Sequence, residues 1–197
     1  MMLSALLVAA VASGPAPVSA SPRMTAVSWK IDVSHSELSF RVRHILSRVS
    51  GTFGSWNGVL TVDPADLSGG SVEVTIQTAS IDTKNENRDK HLRSPDFFAA
   101  DSFPAITFKS TKVDVSGSDL TVTGDLTMRG VTRSVVLRGS YNGVVGPAEP
   151  QKQRIGFSAS TTVNRLDYGV RWNRVAEGSN VLGDDVEITI NVAAVRQ

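Results

Sequence analysis

Apolar residues fall at every second position in about eight short runs along this chain, and turn residues separate the runs. Leu38, Phe40 and Val42 alternate with Ser39, Arg41 and Arg43; Val72, Val74 and Ile76 alternate with Glu73, Thr75 and Gln77. The same pattern runs through Gly58–Leu60–Val62, Ile106–Phe108 toward Val115, and Leu120 to Met128. It continues in Val131 to Tyr141, Ile155 to Val163, and Val186 to Val192. Period two is the signature of a strand with one buried face. Asp63-Pro64, Ser68-Gly69-Gly70, Ser116-Gly117-Ser118, Arg129-Gly130 and Tyr141-Asn142-Gly143 supply turn chemistry between the runs. About eight such strands make either a sandwich or a barrel. A barrel lets the eighth strand pair with the first, which removes both sheet edges.

One segment departs from this rhythm. Asp82 to Ala100 is too long for a turn and carries Lys84, Arg88, Lys90, Arg93, several carboxylates and His91 before the pair Phe97-Phe98. Asp82 or Thr83 is placed to cap a short helix across Asn85–Leu92, and Ser94-Pro95-Asp96 ends it. The predicted architecture is therefore all-β: a single eight-stranded antiparallel barrel with a short helical insertion between strands three and four. Such an insertion decorates the mouth of a barrel, and the mouth sorts what enters.

The first twenty residues carry no charge, and Leu3 to Val11 is an apolar run of signal-peptide length followed by Val18-Ser19-Ala20. Residues 1–20 are expected to be a signal peptide and residues 21–197 the barrel domain, although the start lacks the usual Lys or Arg. The run is shorter than the roughly 20 residues a membrane span needs. The chain has no cysteine, which excludes a disulfide framework and a Cys-ligated metal. Export without cysteine fits a bacterial periplasmic protein. With 20 basic and 19 acidic residues, the composition gives no support for nucleic-acid binding.

Catalytic patterns are weak. His35, His44 and His91 lack an i, i+4 pair and lack H-E-x-x-H, so no metal site is expected. No G-x-S-x-G nucleophile and no phosphate-binding glycine loop occurs. Asp82, Asp89, Asp96 and Asp101 offer an acid/base pair as one reading; most are better explained as caps and as salt-bridge partners of neighbouring Arg and Lys residues. The positive signal is apolar. Phe40, Val42, Phe53, Trp56, Phe108, Leu126, Met128, Phe157, Trp172 and Ile188 are expected to face the interior, with Phe40 and Val42 on the even-numbered face of the first strand. The pattern leaves open whether that interior is filled by these side chains or hollow.

Six ordered segments together resemble the YceI-like, polyisoprenoid-binding family. They are WKIDVSHSELSFRVRH (Trp29 to His44), GTFGSWNGVLTVDP (Gly51 to Pro64), SIDTKNENRDKHLRSPDFF (Ser80 to Phe98), FPAITFKSTKV (Phe103 to Val113), GDLTMRGVTRSVVL (Gly124 to Leu137) and NRLDYGVRWN (Asn164 to Asn173). The resemblance covers about Ser28 to Val195. Ser134 stands where the family often has Pro, and Trp56 where Phe is more usual.

The resemblance implies a lipocalin-like periplasmic barrel holding a long isoprenoid chain, of isoprenoid-quinone or polyprenyl type, with links to stress response. It implies a non-catalytic carrier without cofactor, present as monomer or homodimer and delivering its lipid at a membrane surface or to a membrane redox protein. Arg88, His91 and Arg93 are the expected head-group contacts, with salt bridges to Asp89 and Asp96 as their alternative role. The competing function is an enzyme acting on such a lipid or quinone through His91 or a bound metal.

Overall fold

The structure, a computed structural model, describes residues 26–147, 149–176 and 179–197; the expected signal peptide lies outside the described residues. Among the described residues, thirteen strands and one α-helix follow in chain order. They are β1 (Val27–Ile31), β2 (Glu37–His44), β3 (Ser47–Phe53), β4 (Trp56–Asp63), β5 (Asp66–Gln77), β6 (Ile81–Asp82), α1 (Glu86–Arg93), β7 (Ala105–Ser116), β8 (Asp119–Met128), β9 (Val131–Val145), β10 (Arg154–Asn164), β11 (Val175–Ala176), β12 (Ser179–Asn180) and β13 (Leu182–Arg196).

Eight strands close on themselves in the order β1-β4-β5-β7-β8-β9-β10-β13, and β13 pairs back to β1. Every pairing is antiparallel, as expected when most connections are tight hairpins. β2 is the continuation of β1 past a kink and pairs with the earlier half of β13, with Phe40 opposite Ile188 and Val42 opposite Val186. β3 lies on β2, and β6 on β3. The predicted first strand is thus the second half of a longer one, and the predicted insertion does fall between the third and fourth long strands.

The kink between β1 and β2 has a local cause. The Asp32 carboxylate accepts from the Ser34 N–H (3.2 Å), the Ser34 hydroxyl (2.5 Å) and His35 Nδ1 (2.8 Å). Those donors, Ser34 first and His35 next, hold the Asp32 carboxyl below its ordinary pKa. The Ser36 hydroxyl donates to the Asp32 carbonyl (2.7 Å) and accepts from the Ala193 N–H (2.9 Å), which ties the kink to β13. The I-D-x-x-H-S segment therefore builds a corner, and His35 belongs to that corner.

Where β10 begins and β13 finishes, that end of the barrel is tightly packed against β1. Trp29, Ile155 and Ala194 are essentially inaccessible there, and the Trp29 indole N–H donates to the Val62 carbonyl (3.3 Å). The opposite end carries α1 and the connection from β10 to β13. Arg165 organises that connection. Its guanidinium donates to the carbonyls of Gly183 (2.8 Å), Val170 (2.6 Å) and Trp172 (2.9 Å) and to the Asp184 carboxylate (2.8 Å). Burial pulls its pKa below the ordinary arginine value, and Asp184 opposes that pull.

A buried charge that donates from all three of its nitrogens leaves a cluster of orphaned carbonyls once it is removed. Arg165→Met is expected to cost about 3–5 kcal/mol, read as a lower midpoint in urea denaturation. Arg165→Lys keeps the charge but loses the planar fork, so it should recover only a minor part. A midpoint unchanged in both variants would show that Arg165 is not the clamp.

Candidate ligand-binding cavity

Between the packed end and the α1 end, the barrel encloses a cavity of about 560 Å³. All ten apolar residues expected to face the interior line it: Phe40 and Val42 on β2, Phe53 on β3, Trp56 on β4, Phe108 on β7, Leu126 and Met128 on β8, Phe157 on β10, Trp172 in the β10–β13 connection, and Ile188 on β13. Strand parity explains most of this. The fourth long strand breaks its parity: β7 has a bulge between Ser110 and Lys112, so Phe108 and Val113, which differ in parity, both face inward. At the bulge the Ser110 hydroxyl accepts from the Val72 N–H (2.9 Å), replacing a ladder bond between β5 and β7.

The interior is hollow because its largest rings lie against the wall. Phe40 sits opposite Gly51 in the β2–β3 register, and a Cβ on Gly51 would lie 2.5 Å from the tip of the Phe40 ring. A Cβ on Gly124 would lie 2.4 Å from the tip of the Phe108 ring. Each ring thus fills the missing side-chain volume of a neighbouring glycine instead of the barrel axis. The size of the aromatic residues suggests filling; their glycine partners undo it.

Polar groups gather at the α1 end. Asn85, beyond the expected Asp82 and Thr83, caps α1: its side-chain oxygen accepts from the Arg88 N–H (3.0 Å). The buried Asp89 carboxylate accepts from the Thr83 N–H (2.9 Å) and hydroxyl (2.5 Å). Arg88 donates from Nε to the Thr83 hydroxyl (2.7 Å) and from Nη2 to the Thr83 carbonyl (2.7 Å). His91 Nε2 pairs with the Asp96 carboxylate (2.8 Å), while its ring meets Phe97 and Trp172 edge-on at centroid distances of 5.0 and 5.1 Å.

Of the three expected head-group residues, Arg88 and His91 line the cavity and Arg93 does not. Arg93 donates to the carbonyls of Ala79 (2.8 Å) and Ile81 (3.0 Å) and fastens α1 to the strand before it. The alternative of arginine salt bridges to Asp89 and Asp96 takes a different form: both arginines bind backbone carbonyls, and it is His91 that pairs with Asp96. The lining also includes His44, Asn87, Leu92 and Arg165, which were not among the residues expected there. His44 shares the parity of Phe40 and Val42, and Asn87 and His91 are four apart on one helix face, so both signals were available. His35, His44 and His91 sit on three different elements, and among the described residues no three His, Cys, Asp or Glu side chains are grouped to hold a metal.

The family model for the YceI-like domain matches residues 29–194. This chain belongs to the YceI-like family. A UPF0312 protein of Pseudomonas aeruginosa (strain LESB58) is 35% identical over 192 residues, covering 96% of this chain and 97% of its own length. Among solved structures, a Campylobacter jejuni YCEI protein superposes with a TM-score of 0.66 at 32% identity, over 77% of this chain and 86% of that one. A polyisoprenoid binding domain from Saccharophagus degradans shares the fold, with a TM-score of 0.65 at 15% identity over 87% of this chain and 99% of its own. In this YceI-like chain, the segments that carry the resemblance are largely the ones that build the kink, cap the helix and clamp the last connection.

Val42→Arg places a cation on the cavity wall, where desolvation costs several kcal/mol. The variant is expected to lose uptake of an apolar fluorophore while its far-ultraviolet circular dichroism stays that of a β protein. Unchanged uptake would show that the even face of β2 is not the ligand wall.

Proposed function

We propose that this chain is a non-catalytic periplasmic carrier of a polyisoprenoid lipid, with the chain of the lipid in the barrel and its head group at the α1 end. The observation that carries the reading is the cavity itself: a hollow apolar interior of about 560 Å³ whose polar lining concentrates at one end. Membership of the YceI-like family and the polyisoprenoid binding named for the Saccharophagus degradans relative support the same ligand class.

The magnitudes are consistent. A cavity of about 150 Å³ accepts one benzene ring, so 560 Å³ accommodates on the order of twenty carbons, about four isoprene units. At about 0.8 kcal/mol per buried CH₂, each unit contributes roughly 2–4 kcal/mol. Four units then contribute roughly 8–16 kcal/mol, the upper part of which covers the roughly 8 kcal/mol of a micromolar complex together with a cost of association. Affinity comes from the chain and needs no polar anchor; Arg88, His91, Asn87 and His44 select among head groups. No cofactor enters this scheme.

Native mass spectrometry of protein purified without detergent should show a bound species, and extraction should return a polyisoprenoid. Recovery of straight-chain fatty acids alone would refute the ligand class. Export is tested separately: the periplasmic protein should begin at or near Ser21, and full-length chain confined to the cytoplasm would refute that location.

The His91–Asp96 pair supports a second reading, an enzyme acting on the lipid head. Asp96 on Nε2 leaves Nδ1 as the nitrogen available to move a proton. Loaded protein should return its lipid unchanged, and His91→Ala should alter preference among head groups while leaving binding of a headless polyprenyl alcohol within about threefold, because chain burial dominates. Turnover that disappears in His91→Ala would establish the enzyme instead.

A further inference from the structure

We infer that the β2–β3 hairpin tip and the adjoining Arg174–Val175 segment form a docking site for an anionic phospholipid bilayer, set beside the mouth of the cavity. The inference deepens the carrier reading and rests on it for its purpose.

His44 pairs with Ser47, so Ile45 and Leu46 form a two-residue turn. Ile45 has φ of +54°, with Leu46 outside the positive region, and a two-residue turn with that geometry favours glycine at its first position. A β-branched side chain is a poor choice for such a backbone. Both side chains project outward: Ile45 is 50% and Leu46 fully exposed. Val175, 74% exposed, stands at the start of the neighbouring β11. The tip is joined to it, since Ile45 N–H donates to the Val181 carbonyl (2.8 Å) and Val181 N–H donates to the Arg174 carbonyl (2.9 Å).

Cations surround these apolar groups. Arg41, Arg43, Arg48 and Arg174 are exposed, and Arg43 lies directly opposite Arg48 in the register. Like charges in that position weaken a strand pair. Glu187 pairs with Arg48, and Asp185 is turned to Asn164 (3.5 Å). The tip therefore combines two choices that disfavour folding, an isoleucine at a glycine position and facing arginines, and both suit a surface that is apolar at the centre and anionic around it. A bilayer is that surface: the tip inserts between head groups while arginines meet phosphates. A protein partner fits less well, because three apolar side chains fall far short of the roughly 1,000 Å² that a stable protein interface buries. Position gives the purpose. Phe40, Val42 and His44, the residues leading into the tip, line the cavity, so docking brings the mouth to the source of the lipid.

The test uses vesicle flotation with phosphatidylcholine alone and with about 30% phosphatidylglycerol, whose negative surface potential recruits arginine. The double variant Ile45→Gly, Leu46→Ser relaxes the turn, so its melting temperature should equal or exceed that of the wild type. The wild type is expected to float with the anionic vesicles, tenfold or more weakly with the neutral ones, and progressively less as salt rises. The double variant should lose tenfold or more of that binding and extract polyprenyl alcohol from vesicles correspondingly slowly, while holding polyprenyl alcohol in solution as the wild type does. A wild type that holds polyprenyl alcohol but never floats, or a double variant that floats equally well, overturns the docking site and leaves the carrier reading intact. Failure of both proteins to hold polyprenyl alcohol overturns the carrier reading, whereas loss of flotation in the double variant would still support the docking site. Impaired lipid delivery in cells by the double variant, with no flotation of the wild type, would assign the tip to a protein and overturn the bilayer.

Discussion

Closure of the barrel depends on β13. It is 15 residues long and hydrogen-bonded along one side to β10 from Asp185 to Val195. Its other side is shared: β1 takes Ala194 to Arg196, and β2 takes the stretch from Leu182 to Asn191. Between them the chain turns through the Asp32 corner, where Ser36 bonds both strands of the seam. With that seam made, every strand of the ring has a neighbour on both sides along at least part of its length, and an interior emptied of side chains is tolerable. An open sheet with the same hollow face would have exposed apolar surface on one side and unpaired backbone at its margins.

The same molecule packs one end to inaccessibility and leaves the middle empty, and the difference lies in what opposes each large side chain. Trp29 at the closed end has its polar atom satisfied and its ring enclosed. Phe40 lies down on Gly51 directly opposite it, and Phe108 on Gly124 diagonally across the ladder. A hollow of this size forgoes packing that a filled core would have, since dispersion contacts are lost wherever a wall faces space. Ligand occupancy restores those contacts, so apolar binding and folding stability are linked in this fold.

Much of this was legible from residue order. Alternation located the long strands, turn residues separated them, and parity marked Phe40, Val42, Leu126 and Ile188 as inward. What escaped has physical causes. β1 was missed because five residues, Val27 to Ile31, are too few to establish a period. The β7 bulge was missed because one extra residue changes parity without changing composition. The roles of Arg88 and Arg93 were open because their partners are backbone carbonyls of Thr83, Ala79 and Ile81, and a carbonyl has no letter in a sequence. Asn85 took the cap from Asp82 and Thr83 because each of those is engaged elsewhere, Asp82 with Lys84 and Thr83 with Asp89. Hollowness was illegible for a related reason: it depends on which glycine lies opposite which ring, and that is a property of register.

The three tryptophans divide between these regions in a way that gives the protein an optical character of its own. Trp29 is sealed in the closing seam, with its indole N–H committed to Val62. Trp56 and Trp172 border the cavity, and Trp172 lies against the rings of His91 and Phe97. Emission from the first reports the integrity of the barrel and is indifferent to contents. Emission from the other two reports whether the cavity holds hydrocarbon or water. Trp172 also senses the state of the imidazole beside it. Without any added label, the chain separates being folded from being full.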